Sequence, residues 1–417
     1  MEQAPTAVAL KDSPQRWWLA ALLVAAMIAC YAHRGALSVA APFMRQQLGL
    51  TRGQMGLLFA AFFWTYSFFQ MPAGWVVDRF GVRLGYVLGF VFWSAALVLT
   101  GFASTIAALF ALRMLLGIGQ SSAFPASARA VSNWFQERER GTVAASYLTG
   151  VRLGQAAINA IGGAFLKGYG FRTFFVVIGL VPMIWLPPWW WFLGKWERRQ
   201  SPAPAEATGR PESLSFLRSL ALFGDRSVVG IFLGFFAYDY VWFVITNWLP
   251  TYLVEERKFS PGEMAFYSSA PFVAMSVVIV VSGLASDALI RRGFSEIPVR
   301  KTLVAIGMLL CCLIVPAAIV QDKMTAVWLL TLSLCGLGIA TPNTWTLTQA
   351  VCSKNIVGTV SGIQNFGGNV GGSIAPALTG FIADRTGSFA LALGLCGGIL
   401  VFGVLCYWLL VEKRVDR

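Results

Sequence analysis

The sequence predicts an all-α membrane protein with twelve transmembrane helices in two pseudo-symmetric halves of six, and three observations support this fold class. The chain of 417 residues is 57% hydrophobic and only 12% charged, whereas a soluble domain carries about 25% charged residues. Its apolar residues fall into twelve stretches, each long enough for a bilayer core that takes about 20 helical residues. The two halves also carry the same loop motif at a fixed offset. This composition excludes a water-covered globular protein.

The predicted spans are apolar runs that charged or turn-forming residues interrupt. In the first half they cover residues 17–41, 54–77, 84–102, 105–127, 141–166 and 171–194, and in the second half 227–251, 262–285, 302–320, 325–350, 357–383 and 387–411. Between spans six and seven lies the longest polar stretch of the chain. We therefore predict an N-terminal bundle over residues 1–194, a cytoplasmic linker over 195–226 and a C-terminal bundle over 227–417.

The basic residues predict the orientation of the chain. There are 32 Lys and Arg against 19 Asp and Glu, a formal charge of +13. With both termini in the cytoplasm, 20 of the basic residues lie in cytoplasmic segments and 8 in outward loops, which is the bias of the positive-inside rule. The N-terminus has no small-residue cleavage site before span one, so this helix is expected to stay. We expect a multi-pass protein of the cell inner (plasma) membrane.

One loop motif occurs twice. The first copy, between spans two and three, contains Gly74, Asp78, Arg79, Gly81 and Arg83 in the pattern G-x-x-x-D-R-x-G-x-R. The second copy, between spans eight and nine, contains Gly283, Asp287 and Arg291, and its aspartate follows the first by 209 residues. Each aspartate ends a helix, where it can accept from amides of a neighbouring helix or pair with an arginine of the loop. We interpret both loops as gating elements.

The first copy completes the signature of the major facilitator superfamily. The sequence resembles one branch in particular, the anion:cation symporter family, which includes galactonate, glucarate, hexuronate, phthalate and sialin-like carriers. The residues that carry this resemblance are Tyr31-Ala-His-Arg34, Arg113-Met-Leu-Leu-Gly117, Trp248-Leu-Pro-Thr-Tyr-Leu253, Pro342-Asn-Thr-Trp345 and Gln364-Asn365-Phe366-Gly367. The resemblance implies two six-helix bundles around a central cavity that opens alternately to either side, and transport of an organic anion.

Arginines at membrane depth are the main candidates for substrate binding, because a charge there needs a partner or a water-filled cavity. Arg34 and Arg113 match the two arginines that the family uses to bind the substrate carboxylate, which a guanidinium fork fits bidentately. Arg152, between Gly150 and Gly154, is a third candidate, for which substrate contact and helix packing both stay open. Family position and polarity add further substrate-binding candidates: Tyr66, Gln120, Tyr238, Asn343, Trp345 and Asn365.

The candidates for proton coupling are Asp239 and His33. Asp239 is the one acidic residue deep within a predicted span, and His33 is the single histidine, next to Arg34. The family typically has an aspartate before the span-one arginine and a glutamate seven residues after the span-four arginine, where this chain has His33 and Gln120. Three schemes follow: Asp239 with or without His33 carries the proton, the protein is an anion uniporter or exchanger, or another cation is coupled.

The function predicted from the sequence is import of a sugar acid, aromatic acid or other carboxylate by alternating access, with proton-coupled symport as the favoured scheme. A transporter-like membrane sensor is the alternative from another class, although no extra cytoplasmic domain accompanies the linker. No nucleotide-binding, metal-ligand or nucleophile motif is found, so we expect neither an enzyme nor a cofactor or metal. The expected partners are the organic anion, protons and lipid, without nucleic acid, and the expected state is a monomer.

Overall fold

A computed structural model describes residues 14–197, 222–353, 356–412 and 415 of the chain. These residues are almost entirely helical. The α-helices are α1 (Arg16–Leu48), α2 (Arg52–Thr100), α3 (Ile106–Gln120), α4 (Ala123–Trp134), α5 (Glu137–Leu180), α6 (Leu186–Glu197), α7 (Arg226–Thr251), α8 (Pro261–Arg291), α9 (Glu296–Cys311), α10 (Ile314–Ile319), α11 (Lys323–Val351), α12 (Val357–Thr386) and α13 (Ala390–Leu410). The predicted linker falls largely on residues 198–221, outside the described residues.

Nine helical stretches in the described part of the chain are long and apolar enough to cross a membrane. Two of them each contain two predicted spans. Spans two and three both lie on α2, and the non-helical backbone of Gly81 (φ 86°, ψ 159°) separates them. Spans five and six lie on one helical stretch that is interrupted in the same way at Gly170 (φ 73°, ψ 170°). A positive φ of this kind is accessible to glycine and costly for other residues, so both breaks depend on the residue type.

Two predicted spans are each divided into two helices in the structure. Span four consists of α3 and α4, which meet at Ser121 and Ser122, and span nine consists of α9 and α10. A proline follows each junction, Pro125 in α4 and Pro316 in α10. Proline has no backbone N–H to donate to the preceding turn. The hydrophobic pattern continues across these junctions and therefore did not reveal them.

Side chains cap several helix ends that face the predicted loops. The carboxylate of Asp225 accepts from the Ser227 backbone N–H at the start of α7, and Ser260 with Glu263 forms a capping box on α8. At the start of α11, Asp322 accepts from the hydroxyl and the backbone N–H of Thr325. These hydrogen bonds lower the pKa of Asp322, because they stabilise its ionised form.

Contacts divide the chain into two units. The first unit contains the chain up to Gly49 and the segment from Ala61 to Thr208; the second contains Leu50–Ala60 and the chain from Gly209 onward. In the first unit α1 packs chiefly on α5, and in the second α7 packs on α12 and α13 while α11 packs on α8 and α9. Leu50–Ala60 belongs to the second unit because Arg52 forms an ion pair with Glu255 at 3.0 Å and its backbone N–H donates to Asp384.

Large apolar side chains cover the outer surface of both units. Among the described residues, four of them are more than 70% exposed: Phe68, Met71, Ile184 and Ile319. A soluble protein rarely exposes apolar surface so extensively, whereas lipid tails cover it at no cost. The exposed surface therefore agrees with a membrane protein.

Candidate functional site

Arg34 on α1 is enclosed by aromatic rings of the first unit. Its Cζ lies 4.4 Å from the ring centroids of Tyr31 and Phe62 and 4.8 Å from that of Tyr66. The Nε group donates to Gln120 Oε1 at 3.2 Å and Nη1 donates to the Tyr31 hydroxyl at 3.3 Å. Cation–π contacts and neutral acceptors stabilise the guanidinium, but they leave its positive charge uncompensated.

Arg113 on α3 joins this cluster. Its side chain is 6% exposed; Nη2 donates to the Arg34 carbonyl oxygen at 3.2 Å, and Cζ lies 5.3 Å from the Phe62 centroid. Two buried donors of the pair, Arg34 Nη2 and Arg113 Nε, have no hydrogen-bond partner among the described residues. Since native proteins rarely leave buried charged donors unsatisfied, these two atoms mark a place for an acceptor.

The sequence of this unit offers no acid at the depth of the two arginines. Between residues 13 and 196 the acidic residues are Asp78, Glu137 and Glu139. Asp78 is exposed and lies 3.7 Å from Arg129, and Glu139 forms an ion pair with Arg16 at 2.6 Å. The acidic residues of the segment are therefore at its helix ends, and the cluster around Arg34 and Arg113 is positively charged. It can bind an anion.

Gln120 and Arg152 have different surroundings. Gln120 is fully buried and bridges α3 to α1, since its Nε2 donates to the Cys30 carbonyl oxygen at 3.0 Å. Arg152 is half-buried on α5, and a β-carbon at the neighbouring Gly150 would lie 2.8 Å from the Val24 carbonyl oxygen on α1. The structure thus unites Arg34, Arg113, Tyr66 and Gln120.

His33 is fully buried in a hydrogen-bonded position between α1, α2 and α5. Trp93 Nε1 lies 3.0 Å from His33 Nδ1, and His33 Nε2 lies 2.8 Å from the Ile178 carbonyl oxygen. An indole nitrogen only donates, so Nδ1 accepts, and the proton of the neutral ring is on Nε2, which donates to Ile178. A second proton on Nδ1 would face the N–H of Trp93. Both nitrogens of His33 are thus engaged in a way that fits the neutral ring.

Asp239 on α7 is half-buried in the second unit, where α12 and α13 pack on α7. Its carboxylate lies against the backbone of Gly368 on α12, since a β-carbon built at that glycine would overlap Asp239 Oδ2. The central parts of α7, α11, α12 and α13 contain no Lys, Arg or His. An ionised Asp239 therefore places a negative charge among helix segments whose central parts carry no basic residue.

The other predicted residues of the second unit lie on α7, α11 and α12. Tyr238 is buried, stacks on Phe235 at 5.5 Å, and its hydroxyl lies 2.6 Å from Thr341 Oγ1. Trp345 is half-buried with its edge toward the same Phe235 ring at 5.2 Å. Asn343 is buried and donates to Ser282 at 3.0 Å. The structure therefore groups Tyr238 and Trp345 around Phe235, whereas Asn343 bonds to α8; Asn365 is half-buried on α12.

The residues of the first loop motif contact a proline and several aromatic rings. Gly74 is half-buried, with Pro125 as the neighbour of a built β-carbon at 3.9 Å. The guanidinium of Arg79 lies 5.7 Å from the Trp75 centroid, and that of Arg83 lies 3.5 Å from the Trp190 centroid. Gly81 provides the turn between the two parts of α2. Asp78 pairs with Arg129 of α4 at 3.7 Å, which lies outside the loop where its partner was predicted.

In the second motif, Asp287 pairs with a residue that sequence reasoning missed. Arg300 Nη2 lies 3.4 Å from Asp287 and its Nε lies 3.0 Å from Glu296, while its Nη1 donates to Thr346 on α11 at 2.7 Å. Arg291, the predicted partner, is exposed at the end of α8. The correction is that the buried Arg300 joins α8, α9 and α11. A basic residue near the start of the following helix was the available signal.

Comparisons with known proteins identify the family. The Major Facilitator Superfamily profile matches residues 22–376. The chain is 31% identical to the D-galactonate transporter of Escherichia coli O6:H1, with 98% of each chain covered, and 31% identical to the hexuronate transporter of Bacillus subtilis, with 93% of this chain and 92% of the relative covered.

A solved structure of a bacterial homologue of the human lysosomal transporter Spinster, inward-facing and unoccupied, has the same fold. Its TM-score is 0.81 at 17% sequence identity, and the match covers 97% of this chain and 99% of that one. The sequence match and the fold agree. The chain therefore belongs to the major facilitator superfamily of membrane transporters, and it is related to the galactonate, galactarate/glucarate and hexuronate transporters rather than to any enzyme.

Proposed function

We propose that this protein imports an organic anion across the cell inner membrane by alternating access, as a proton-coupled symporter. The observation that carries the proposal is the pair of guanidinium groups at Arg34 and Arg113, with one buried donor on each that lacks an acceptor in the described structure. Two like charges in contact raise the energy of the empty site, and a bound anion lowers it. The proposal also includes the predicted topology: twelve spans, both termini in the cytoplasm, and a cytoplasmic linker between residues 195 and 226.

The substrate class that we propose is a carboxylate, with sugar acids favoured over aromatic acids. A carboxylate accepts two parallel hydrogen bonds from a guanidinium, in a geometry that fits the planar fork of arginine. The related transporters carry the names of galactonate and hexuronate, which supports a sugar acid. The aromatic rings near Arg34 contact its guanidinium, so the face that each ring presents to the cation is not available for stacking on a substrate ring.

We assign the coupled proton to Asp239. A carboxyl group deep within a membrane span is costly to ionise, and this cost favours a proton-loaded form during part of the cycle. The neutral tautomer of His33, with Nδ1 accepting from Trp93, favours a positioning role for the histidine. In this arrangement His33 orients α1 so that Arg34, the next residue, points to Gln120.

The replacement of His33 by glutamine tests that division of roles. The terminal amide of glutamine can place an N–H near the position of Nε2 to donate to the Ile178 carbonyl oxygen, but glutamine has no acceptor at the position of Nδ1 for Trp93, so we expect weaker apparent affinity for the anion. The pH at which uptake is half-maximal should not change, because the proposal places the coupled proton on Asp239, which this variant retains. Uptake by His33→Gln is to be measured from pH 5 to pH 8. A shifted or flattened pH profile, with protein abundance intact, would assign the proton to His33 instead.

A thermal-shift screen of the purified protein tests the substrate class. A ligand that binds the folded state adds about 2.7 kcal/mol of stability at 100 times its Kd, so a true substrate raises Tm measurably. The panel contains sugar acids, aromatic acids, dicarboxylates and the corresponding neutral sugars. We expect stabilisation by at least one sugar acid and none by its neutral sugar. Stabilisation by neutral sugars alone would overturn the anion proposal.

Anion exchange or uniport is the second candidate, and the residues at two positions favour it. The family's usual acidic positions hold His33 and Gln120, and both side chains make hydrogen bonds suited to neutral groups. With neutral side chains at these two positions, the carrier needs no proton there to change between its outward-facing and inward-facing states. Measurement of substrate-driven proton uptake in proteoliposomes separates the two functions, since an exchanger moves the anion without a pH change in the lumen.

A further inference from the structure

The first turns of α2 belong to the second unit, whereas the rest of this helix belongs to the first. Leu50–Ala60 is part of the second unit, and the first unit resumes at Ala61. The backbone is helical from Arg52 to the break at Gly81, so one continuous helix segment connects the two units along the chain. A movement of either unit during transport must therefore bend this segment or break the contacts that hold its start.

A carboxylate from a distant span closes the N-terminus of α2. Asp384, near the end of α12, accepts from the backbone N–H of Arg52 at 2.8 Å through Oδ1 and from that of Gly53 at 2.6 Å through Oδ2. The first N–H groups of a helix have no partner within the helix, and a negative charge is stabilised at this end. Thr51, the residue before the helix, caps Gln54 instead. The first two N–H groups of α2 are therefore held by α12.

The side chain of Arg52 contacts the same group of helix ends. Its Nε donates at 3.0 Å to Glu255, which lies just after α7, and its Nη1 donates at 3.0 Å to the Ala383 carbonyl oxygen of α12. Its Cζ lies 5.0 Å from the centroid of the Phe389 ring. Both side chains of the ion pair are less than one-fifth exposed, so water and salt screen this pair less than a fully exposed one. Arg52 thus connects α2 to the ends of α7 and α12.

Glycines bring α2 and α12 into backbone contact. A β-carbon at Gly56 would lie 2.5 Å from the Pro376 carbonyl oxygen, and one at Gly380 would overlap the Arg52 carbonyl oxygen. Small residues permit this close approach between membrane helices. Any larger residue at position 56 would push α2 away from α12 and would stretch the hydrogen bonds to Asp384.

Water can replace the polar contacts of this cluster. Asp384 is exposed and Arg52 is half-buried, and the predicted topology puts the start of α2 and the ends of α7 and α12 on the outer face of the membrane. Separation of the helices would exchange these hydrogen bonds for hydrogen bonds to water, at a modest net cost. The contacts can therefore stabilise one conformation and still break in every transport cycle.

We infer that Asp384, Arg52 and Glu255 form an outer latch: they hold the start of α2 on the second unit while the carrier is open to the cytoplasm, and they separate each time it opens to the outside. The inference rests on alternating access, the transport mode proposed above. It does not depend on which anion or which coupled ion is carried. The strength of the latch sets the fraction of time that the carrier spends open to the outside.

Asp384→Asn tests the latch because it replaces one acceptor oxygen by an NH2 group that faces the backbone N–H groups of α2. The measurement is the rate at which a membrane-impermeant maleimide, added outside, labels Met55→Cys, since Met55 lies in the held segment and is fully buried. The protein without Met55→Cys gives the background from its seven native cysteines. Loss of one charge-assisted hydrogen bond shifts a conformational equilibrium about tenfold, so we expect labelling about tenfold faster.

Asp322→Asn is the matched control. Asp322 also caps a helix at the predicted outer face, but it accepts from the backbone N–H and the hydroxyl of Thr325 on the same helix. Asparagine caps a helix as well as aspartate does. The labelling rate of Met55→Cys should therefore stay at the parent value in this variant.

A second pair of variants tests the backbone contact. Gly56→Ala forces α2 away from α12 and should speed the labelling in the same way, whereas Gly262→Ala, near the start of α8, adds its methyl where no atom lies within 4 Å and should behave as the parent. In both latch variants the KM for the external anion and the maximal uptake rate should fall together, because the carrier spends more time open to the outside. A damaged fold would lower the maximal rate alone. Parent labelling rates in both Asp384→Asn and Gly56→Ala would overturn the inference.

The latch and the proposed function fail in different ways. If labelling of Met55→Cys accelerates in both latch variants but no organic anion is taken up by the parent, the latch is supported and the proposed substrate class is wrong. If the parent takes up an organic anion while neither latch variant changes the labelling rate or the KM, transport is supported and the latch is wrong.

Discussion

Replacing Arg113 by glutamine is expected to abolish anion binding while leaving the ligand-free protein at least as stable as the parent. The Arg113 guanidinium is buried and donates to the Arg34 carbonyl oxygen, so it lies beside a second positive charge. Loss of one of two like charges relieves repulsion in the empty site. Binding, in contrast, loses at least one charge-assisted hydrogen bond of about 1.5–3 kcal/mol, a 10- to 150-fold weaker affinity.

Two measurements on the same sample separate lost binding from misfolding. The Tm of the ligand-free protein should be unchanged or higher, and the increase in Tm that the anion produces should disappear. Arg172→Gln is the control, since Arg172 is an exposed arginine of the same unit that donates to Ser104, and it should bind normally. Full affinity in Arg113→Gln would contradict the proposed site.

The lysine variants distinguish charge from geometry at the same positions. Arg34→Lys and Arg113→Lys retain the positive charge but replace the planar fork by a single ammonium group. We expect binding that is weaker than in the parent and stronger than in the glutamine variants. Equal binding by Lys and Arg would show that the site recognises charge alone, without bidentate contact.

The sequence identified the residues around Arg34 because their types are unusual for their positions. An arginine or glutamine within an apolar span is costly unless it has a function or a partner, and Arg34, Arg113 and Gln120 stand out for this reason. Tyr66 was selected by family position, and the structure places its ring on the Arg34 guanidinium. Local composition was sufficient here, since each residue is an exception in its own span.

The sequence could not identify partners that are distant along the chain. Trp93 and Ile178, which bond to His33, lie 60 and 145 residues away, and hydrophobic periodicity says nothing about such pairs. The partner of Asp287 was sought in its own loop, but it is Arg300 of the next helix. Gly368 resembles an ordinary packing residue, and only its approach to Asp239 distinguishes it.

Asp239→Asn is expected to uncouple transport from the proton gradient while preserving exchange of the anion. One pH unit across the membrane corresponds to 1.36 kcal/mol for each coupled proton, and it therefore supports about a tenfold accumulation of substrate. Asparagine is similar in size to aspartate and cannot titrate. The accumulation ratio under an imposed pH difference should fall to about one, whereas counterflow of labelled against unlabelled anion should continue.

The matched control is Asp225→Asn at the start of the same helix. Asp225 accepts from the Ser227 backbone N–H, and asparagine caps helices as well as aspartate does, so this variant makes the same chemical change without an expected effect on coupling. Loss of both accumulation and counterflow in Asp239→Asn, with intact protein, would instead indicate a structural ion pair. Counterflow requires the anion site and the conformational cycle, but no net proton movement. If Asp239→Asn loses accumulation and keeps counterflow, while Asp225→Asn keeps both, the coupling step belongs to the Asp239 carboxylate.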